Sequence, residues 1–184
     1  MTTLLSSETI FKGRIFDIRV DTIREGELEY KREIVVHAGS AVIVPVFRDG
    51  TVALVRQYRH ATDGYQLELP AGGVEPNETF EQAATRELEE EIGFRAGKIE
   101  LLTEFYVSPG FLSEKMYVYL ATDLTETAQN LDEDELVEIV RIPLIEALEM
   151  TRDGRIQDAK TMIGLSLAGS KTDIRSSHDL RRRV

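Results

Sequence analysis

Glu87, Glu90 and Glu91 are the residues of this 184-residue chain whose types and spacing most directly offer chemistry. Set at i, i+3 and i+4, their carboxylates share one side of a helix if the segment is helical. Like charges at that spacing repel by roughly 0.2–0.5 kcal/mol per pair. Glu89, Glu90 and Glu91 would also lie at the C-terminal end of the helix, the wrong end of its dipole for anions, at about 0.3–1 kcal/mol each. A hard divalent cation such as Mg²⁺ would turn the repulsion into binding, because it takes carboxylate oxygens and keeps several waters. Taken alone, the carboxylates fit a solvated acidic face equally well.

Two arginines add a second possibility. Arg56 and Arg59 in VRQYRH offer guanidinium forks to phosphate oxygens. Spaced by three on a regular strand they face opposite ways, so one of them reaches a common site and the other faces solvent. His37, His60 and His178 share no ligand spacing, and without cysteine there is no thiolate site, disulfide or cysteine nucleophile.

The elements that must position these groups are legible in outline. Thr79 with Gln82 three residues later is a capping-box pattern, and Gly93 suits the left-handed end of a helix. Between them Phe80, Ala84, Leu88 and Ile92 recur every four residues as an apolar stripe. The sequence predicts three short strands in residues 1–40, broken by the polar turn EGEL. Ala41–Phe47 and Thr51–Gln57 flank Asp49-Gly50, a hairpin pattern. Further strands are expected over Gln66–Leu69, Lys98–Val107, Met116–Thr122 and Leu136–Ile142, with an acidic loop over Asp123–Glu135. Pro143 opens one C-terminal helix and Asp158 caps another that runs to Ala168. Strands on both sides of helices predict an α/β fold with a mixed sheet covered on two faces.

The whole stretch Gly72–Phe94, GGVEPNETFEQAATRELEEEIGF, adds a stronger signal. Gly72, Glu78, Arg86, Glu87, Leu88, Glu90, Glu91, Gly93 and Phe94 fit the spacing G-x5-E-x7-R-E-U-x-E-E-x-G-U, where U is apolar. This resembles the signature box of the Nudix hydrolases at every fixed position, with Phe94 in the last apolar place. The resemblance covers about residues 41–168 and implies an α/β/α sandwich. It implies a Mg²⁺ or Mn²⁺ site made by Glu87, Glu90, Glu91 and the backbone carbonyl of Ala71, with Arg86 and Glu78 bracing the loop against the helix. It favours Arg59 over Arg56 as the phosphate ligand. Pro109, sixteen residues after Gly93, and the run SPGFLSEK resemble the ADP-ribose pyrophosphatase branch. There Glu114 matches a mobile-loop glutamate that serves as general base or metal partner. Read without the box, Pro109, Gly110 and Glu114 are a rigid turn with an exposed acid. The same branch uses an N-terminal strand to reach a partner subunit's substrate, which makes Arg32 and Glu33 candidates for base recognition.

The expected organisation is therefore a β arm over 1–40 that forms a homodimer, a Nudix hydrolase domain over 41–168 and a basic, disordered tail over 169–184. The expected substrate is ADP-ribose or a related nucleoside diphosphate sugar. GDP-mannose or another nucleotide and a catalytically silent nucleotide sensor are the alternatives. Net charge is −11, and the last sixteen residues carry +3, which leaves −14 on the rest. Such a body repels a nucleic-acid backbone. The longest apolar run, Ala41–Phe47, is far short of the ~20 residues of a membrane helix. The N-terminus shows no basic stretch followed by an apolar run, so a cytoplasmic protein is expected.

Overall fold

The computed structural model describes residues 1–131 and 136–171. They fall into two compact units, one of Met1–Ser40 with Glu104–Met116, the other of Ala41–Thr103 with the chain from Tyr117 onward.

In the first unit, β1 (Thr2–Lys12), β2 (Asp17–Glu25) and β3 (Leu28–Val36) form an antiparallel sheet in that order. β2 and β3 meet at Gly26-Glu27, where Gly26 takes φ +62°. A glycine at the first position of a two-residue turn is what a type II′ hairpin requires. β1 is exposed along its whole length and is interrupted by two register shifts, at Leu4/Ser6 and Thr9/Phe11. The sequence signalled the strands that became β2 and β3, but gave no alternation for β1, whose residues bury nothing within this chain. The segment Glu104–Met116 is stitched to the end of β3: Val35 N–H donates to Phe111 O at 2.8 Å and Ser113 N–H to Val35 O at 2.9 Å.

The second unit has two sheets. β5 (Thr51–Arg59) lies between β10 (Glu138–Pro143) and β6 (Gly64–Glu68), antiparallel to both. The other sheet has the order β7 (Ala71–Gly73), β4 (Ser40–Pro45), β9 (Lys115–Glu126), β8 (Phe94–Tyr106). All six residues of β4 are buried, as a strand covered on both faces should be. Ala41 and Ile43 pack with Ala83, Ala84, Leu88 and Ile92 of α1 (Phe80–Ile92). Val44, from the other face, lies against α3 (Ala159–Lys171): a Cβ on Gly164 would fall 3.1 Å from Val44 and 2.5 Å from Leu69. One strand thus joins two layers of helix, with α2 (Leu144–Asp153) packed on α3.

Several sequence expectations are corrected. Asp49-Gly50 is a turn, with Gly50 N–H on Phe47 O, but β4 and β5 are not a hairpin. They pair only at the Val46–Val52 bridge and then part into different sheets. β7 was not foreseen, because three residues carry no periodicity. Asp123–Glu126, expected as loop, continues β9. Residues 132–135 of that expected loop lie outside the described residues. Pro143 precedes α2 as its N-cap rather than opening its first turn. α3 runs three residues past Ala168, and the expected tail from 172 lies outside the described residues. Among the described residues no helix is long and apolar enough to cross a membrane.

Candidate active site

Helix α1 carries its charge where the sequence put it. Thr79 accepts from Gln82 N–H and the Gln82 side chain accepts from Thr79 N–H, completing the capping box. Gly93, at φ +70°, ends the helix by donating its N–H to Glu89 and Leu88 carbonyls. Two of the acidic residues turn inward: Glu87 is 8% and Glu91 4% exposed, whereas Glu90 lies between buried and exposed. The loop before the helix is shaped around them. A Cβ on Gly72 would lie 1.9 Å from Glu87 Oε1, so no other residue fits there without moving that carboxylate. Ala71 N–H donates to Glu91 Oε2 at 3.2 Å.

Arg86 holds the assembly together. Its Nε and Nη2 donate to the two oxygens of Glu78 at 3.0 and 3.1 Å, and Nη2 also reaches Gly73 O at 2.9 Å. Nη1 bridges Glu87 Oε1 at 2.6 Å and Glu90 Oε2 at 2.9 Å. The bonds from Arg86 hold the Glu78 carboxyl below the usual carboxylate range, and Arg86 itself is driven further toward its charged form, first by Glu78.

The C-terminal end of α1 is unfavourable for anions, and the chain relieves it in two ways. Gln129 Nε2 donates to Glu91 O at 2.6 Å, Asn130 N–H to Glu90 O at 3.1 Å and Thr127 N–H to Gly93 O at 2.7 Å. These satisfy carbonyls that a helix end leaves open. Glu89 is paired side-on by Arg95 at 2.8 and 2.9 Å. A groove of about 480 Å³ runs along this face, past Gln82, Arg86, Glu90 and Asn130.

Arg59 and Arg56 separate as the strand period requires. Arg56 bonds Glu138 at 3.1 Å and lies over the Tyr65 ring, at the surface. Arg59, at the end of β5, makes a side-on pair with Glu68, Nε to Oε1 and Nη2 to Oε2, both at 2.8 Å. Arg59 is driven further toward its charged form, chiefly by Glu68, with the Glu91 carboxylate of α1 and Asp158 adding to it. Glu68 is 2% exposed and also touches Lys160. Burial pushes the Glu68 carboxyl up, but Arg59 and Lys160 outweigh it and leave it below the ordinary range. Sequence reasoning missed both Glu68 and Lys160. The available signal was a lysine in the first turn of a helix, at the wrong end of the dipole.

In the other unit, Arg32, Pro109 and Gly110 come together. With Arg19, Tyr106 and Phe111 they line a cavity of about 430 Å³. Arg32 lies over the Tyr30 ring at 4.2 Å. Glu33, next along β3, pairs with Val20 and is not part of the lining. Glu114 is in the same unit. Its Oε1 accepts from Ser40 Oγ at 2.8 Å. His37 Nδ1, which accepts from Gly39 N–H, is 3.6 Å from that oxygen. The segment that carries Glu114 is bonded to β3 on both sides of Leu112.

A family model described as the NUDIX domain matches residues 37–163. The chain belongs to the NUDIX family. It is 39% identical to an ADP-ribose pyrophosphatase of Bacillus subtilis (strain 168) over 161 residues, 85% of this chain and 86% of the relative. It is 38% identical to a methanol dehydrogenase activator of Bacillus methanolicus over 165 residues, 88% of this chain and 89% of that one. A solved structure, the crystal structure of an ADP compounds hydrolase, superposes with a TM-score of 0.80 at 28% identity, covering 100% of this chain and 97% of the other. The Nudix α/β/α fold read from the signature box is therefore the fold of this chain.

Nudix hydrolases generally use divalent metal ions. Among the described residues, no three His, Asp or Glu side chains are gathered closely enough to hold an ion as they stand. Glu87 and Glu90 are drawn onto Arg86 instead. The donor chemistry nevertheless fits such an ion: two buried carboxylates, a third beside them, and a glycine cradle that keeps Glu87 in place. That cradle gives a direct test. Gly72→Ala, which must push aside the Glu87 carboxylate and its bond from Arg86, should destabilise the protein by about 1 kcal/mol in urea titrations, the low end of the overpacking cost because a side-chain tip rather than backbone gives way. Gly73→Ala, which meets nothing within 4 Å, should stay within about 0.5 kcal/mol of wild type. Equal losses in both would show that Glu87 is not fixed by the space at Gly72.

Proposed function

We propose that this chain is a Mg²⁺-dependent pyrophosphatase of nucleoside diphosphate sugars, with ADP-ribose as the first candidate, giving a nucleoside monophosphate and a sugar phosphate. The observation that carries this reading is the pair of buried carboxylates, Glu87 and Glu91, set on α1 against Gly72 and Ala71. Two buried acids one turn apart on a helix, one of them in its last turn, serve stability poorly, and a cation site gives them a use. The likeness to an ADP-ribose pyrophosphatase over most of the chain supports the substrate class.

The roles follow. Ala71, Glu87, Glu90 and Glu91 would hold Mg²⁺, with Mn²⁺ as a substitute. The ion's contribution is Lewis-acid polarisation of phosphoryl oxygens and a nucleophile available at neutral pH. Arg59 binds the substrate phosphates and offsets charge that develops on the transferring group. Glu114 is the general base: held by a hydroxyl donor on one oxygen, it keeps acceptor capacity for a water proton. Arg32, Pro109 and Gly110 take the nucleoside or sugar end, supported by a cavity with cationic and aromatic walls. Arg56 is engaged by Glu138 and Tyr65 at the surface and Glu33 is not in the cavity lining, so neither is given a role. GDP-mannose remains a competitor, since nothing in Arg32 or its neighbours specifies adenine over guanine. A catalytically silent nucleotide sensor is the reading from another class, and the intact carboxylate set weighs against it. Nucleotide metabolites of this kind are made inside cells, which is the basis for a cytoplasmic assignment.

A homodimer through the N-terminal strands belongs to the same proposal. β1 exposes Leu4, Ile10 and Phe11 at 58%, 57% and 49%, and is an edge strand. Such an edge is a template for pairing with a second copy. Light scattering of the full chain at micromolar concentration should give a dimer, and Ile10→Asp should shift it toward monomer; a monomeric wild-type protein would refute this part.

The activity is tested by a phosphatase-coupled phosphate-release screen over ADP-ribose, GDP-mannose, ADP-glucose, UDP-glucose, ATP and dGTP, with and without Mg²⁺. The kcat/KM for ADP-ribose should exceed that for ATP or dGTP by at least ~10-fold, about 1.4 kcal/mol of transition-state discrimination. Turnover should vanish without the metal. A preference for a triphosphate would overturn the substrate class, and no turnover of any nucleotide would favour the sensor.

A further inference from the structure

The start of α3 is built into the strand that leads to the active-site loop. Asp158 Oδ2 accepts from Thr161 N–H at 3.0 Å and from Thr161 Oγ1 at 2.6 Å, capping the helix. Lys160 Nζ lies 3.0 Å from the same Asp158 oxygen and contacts Glu68 Oε2. Thr161 Oγ1 in turn accepts from Leu69 N–H at 2.7 Å, and Thr161 is fully buried. One turn of α3 therefore grips both the side chain of Glu68 and the backbone of the next residue.

Glu68 passes that grip on. Its carboxylate holds Arg59 by Nε and Nη2, which fixes the plane of the guanidinium and leaves the Nη1 edge outside the pair. Arg59 is otherwise a long, partly exposed side chain at the end of a strand, with four rotatable bonds to immobilise. A lysine in the first turn of a helix opposes the helix dipole, so its placement calls for a compensating role. With its side chain only 10% exposed against Glu68 and Asp158, Lys160 braces the Glu68 oxygen that also takes Arg59 Nη2.

We infer that Lys160 is a positioning residue, acting through Glu68 to fix Arg59 for a substrate pyrophosphate. This rests on the reading of Arg59 as the phosphate ligand. Lys160 would then act on substrate binding and alignment without touching the substrate.

The test is a double-mutant cycle on the full-length protein with ADP-ribose and Mg²⁺, using Lys160→Met, Lys160→Arg, Arg59→Ala and Lys160→Met/Arg59→Ala. Lys160→Met should raise KM by roughly tenfold and lower kcat less, as for a lost binding geometry. Lys160→Arg, which keeps a donor for Glu68, should recover most of the loss. In the Arg59→Ala background Lys160→Met should have little further effect, because the residue it positions is gone. A fall in Tm with unchanged kinetic constants would overturn the inference, as would losses that multiply in the double mutant. Lys160→Gln serves the same comparison if the methionine variant does not fold. If Arg59→Ala itself leaves kcat/KM unaltered, the phosphate-ligand reading falls and takes this inference with it. An impaired Arg59→Ala beside an unimpaired Lys160→Met removes the inference alone.

Discussion

One guanidinium makes most of the side-chain bonds that join the loop before α1 to the acidic helix. Arg86 donates to Glu78 and to the Gly73 carbonyl in the loop, and to Glu87 and Glu90 on its own helix. The loop 72–78 is otherwise anchored by the pairing of β7 with β4 and by Val74 against the core. Tying it down with a residue that is always charged makes the tie insensitive to pH on the arginine side. The dependence falls on Glu78, whose carboxyl is held below its usual range, so its contribution is complete above the unfolded pKa and is lost as pH falls through the lower folded value.

The chain places charge at the wrong end of a helix twice. Glu90 and Glu91 sit at the C-terminus of α1, and Lys160 at the N-terminus of α3. Each is accommodated by specific bonds. Residues 127–130 satisfy the carbonyls at the end of α1, while Glu68 and Asp158 take the lysine charge. Stability alone does not call for either placement, since an apolar or oppositely charged residue would serve better at each. The proposed site for a divalent cation and a diphosphate would give both a purpose, with oxygens for the metal and a fixed arginine for the phosphates.

Local chemistry was the most legible part of the sequence. The capping box at Thr79, the left-handed Gly93, the Asp158 cap and the stripe Ala84–Leu88–Ile92 all have local causes, and all are present. Contacts between distant segments were not legible. Nothing in the spacing says that Asp49-Gly50 turns the chain between sheets, because the divergence of β4 and β5 is set by what each strand finds to pair with. Nothing local links Glu68 to Lys160, which are 92 residues apart. Three strands were expected in residues 1–40 and three are present, but the bounds of β1 were not legible, since a strand exposed along its whole length has no alternation to display. The signature box named Gly72 without explaining it. The reason is visible only in three dimensions, where the Glu87 carboxylate occupies the space of a side chain.

The most direct measurement is a Mn²⁺ titration of the protein without substrate, followed by electron paramagnetic resonance, for wild type, Glu87→Gln and Glu91→Gln. Wild type should bind Mn²⁺ in competition with Mg²⁺, and each variant should bind at least about tenfold more weakly, the loss already typical of altering an outer partner of a metal site. Both variants should remain folded, since removing one of two repelling carboxylates relieves α1. Mn²⁺ affinity equal to wild type in both variants would contradict the assignment and return the acidic face of α1 to ordinary surface charge.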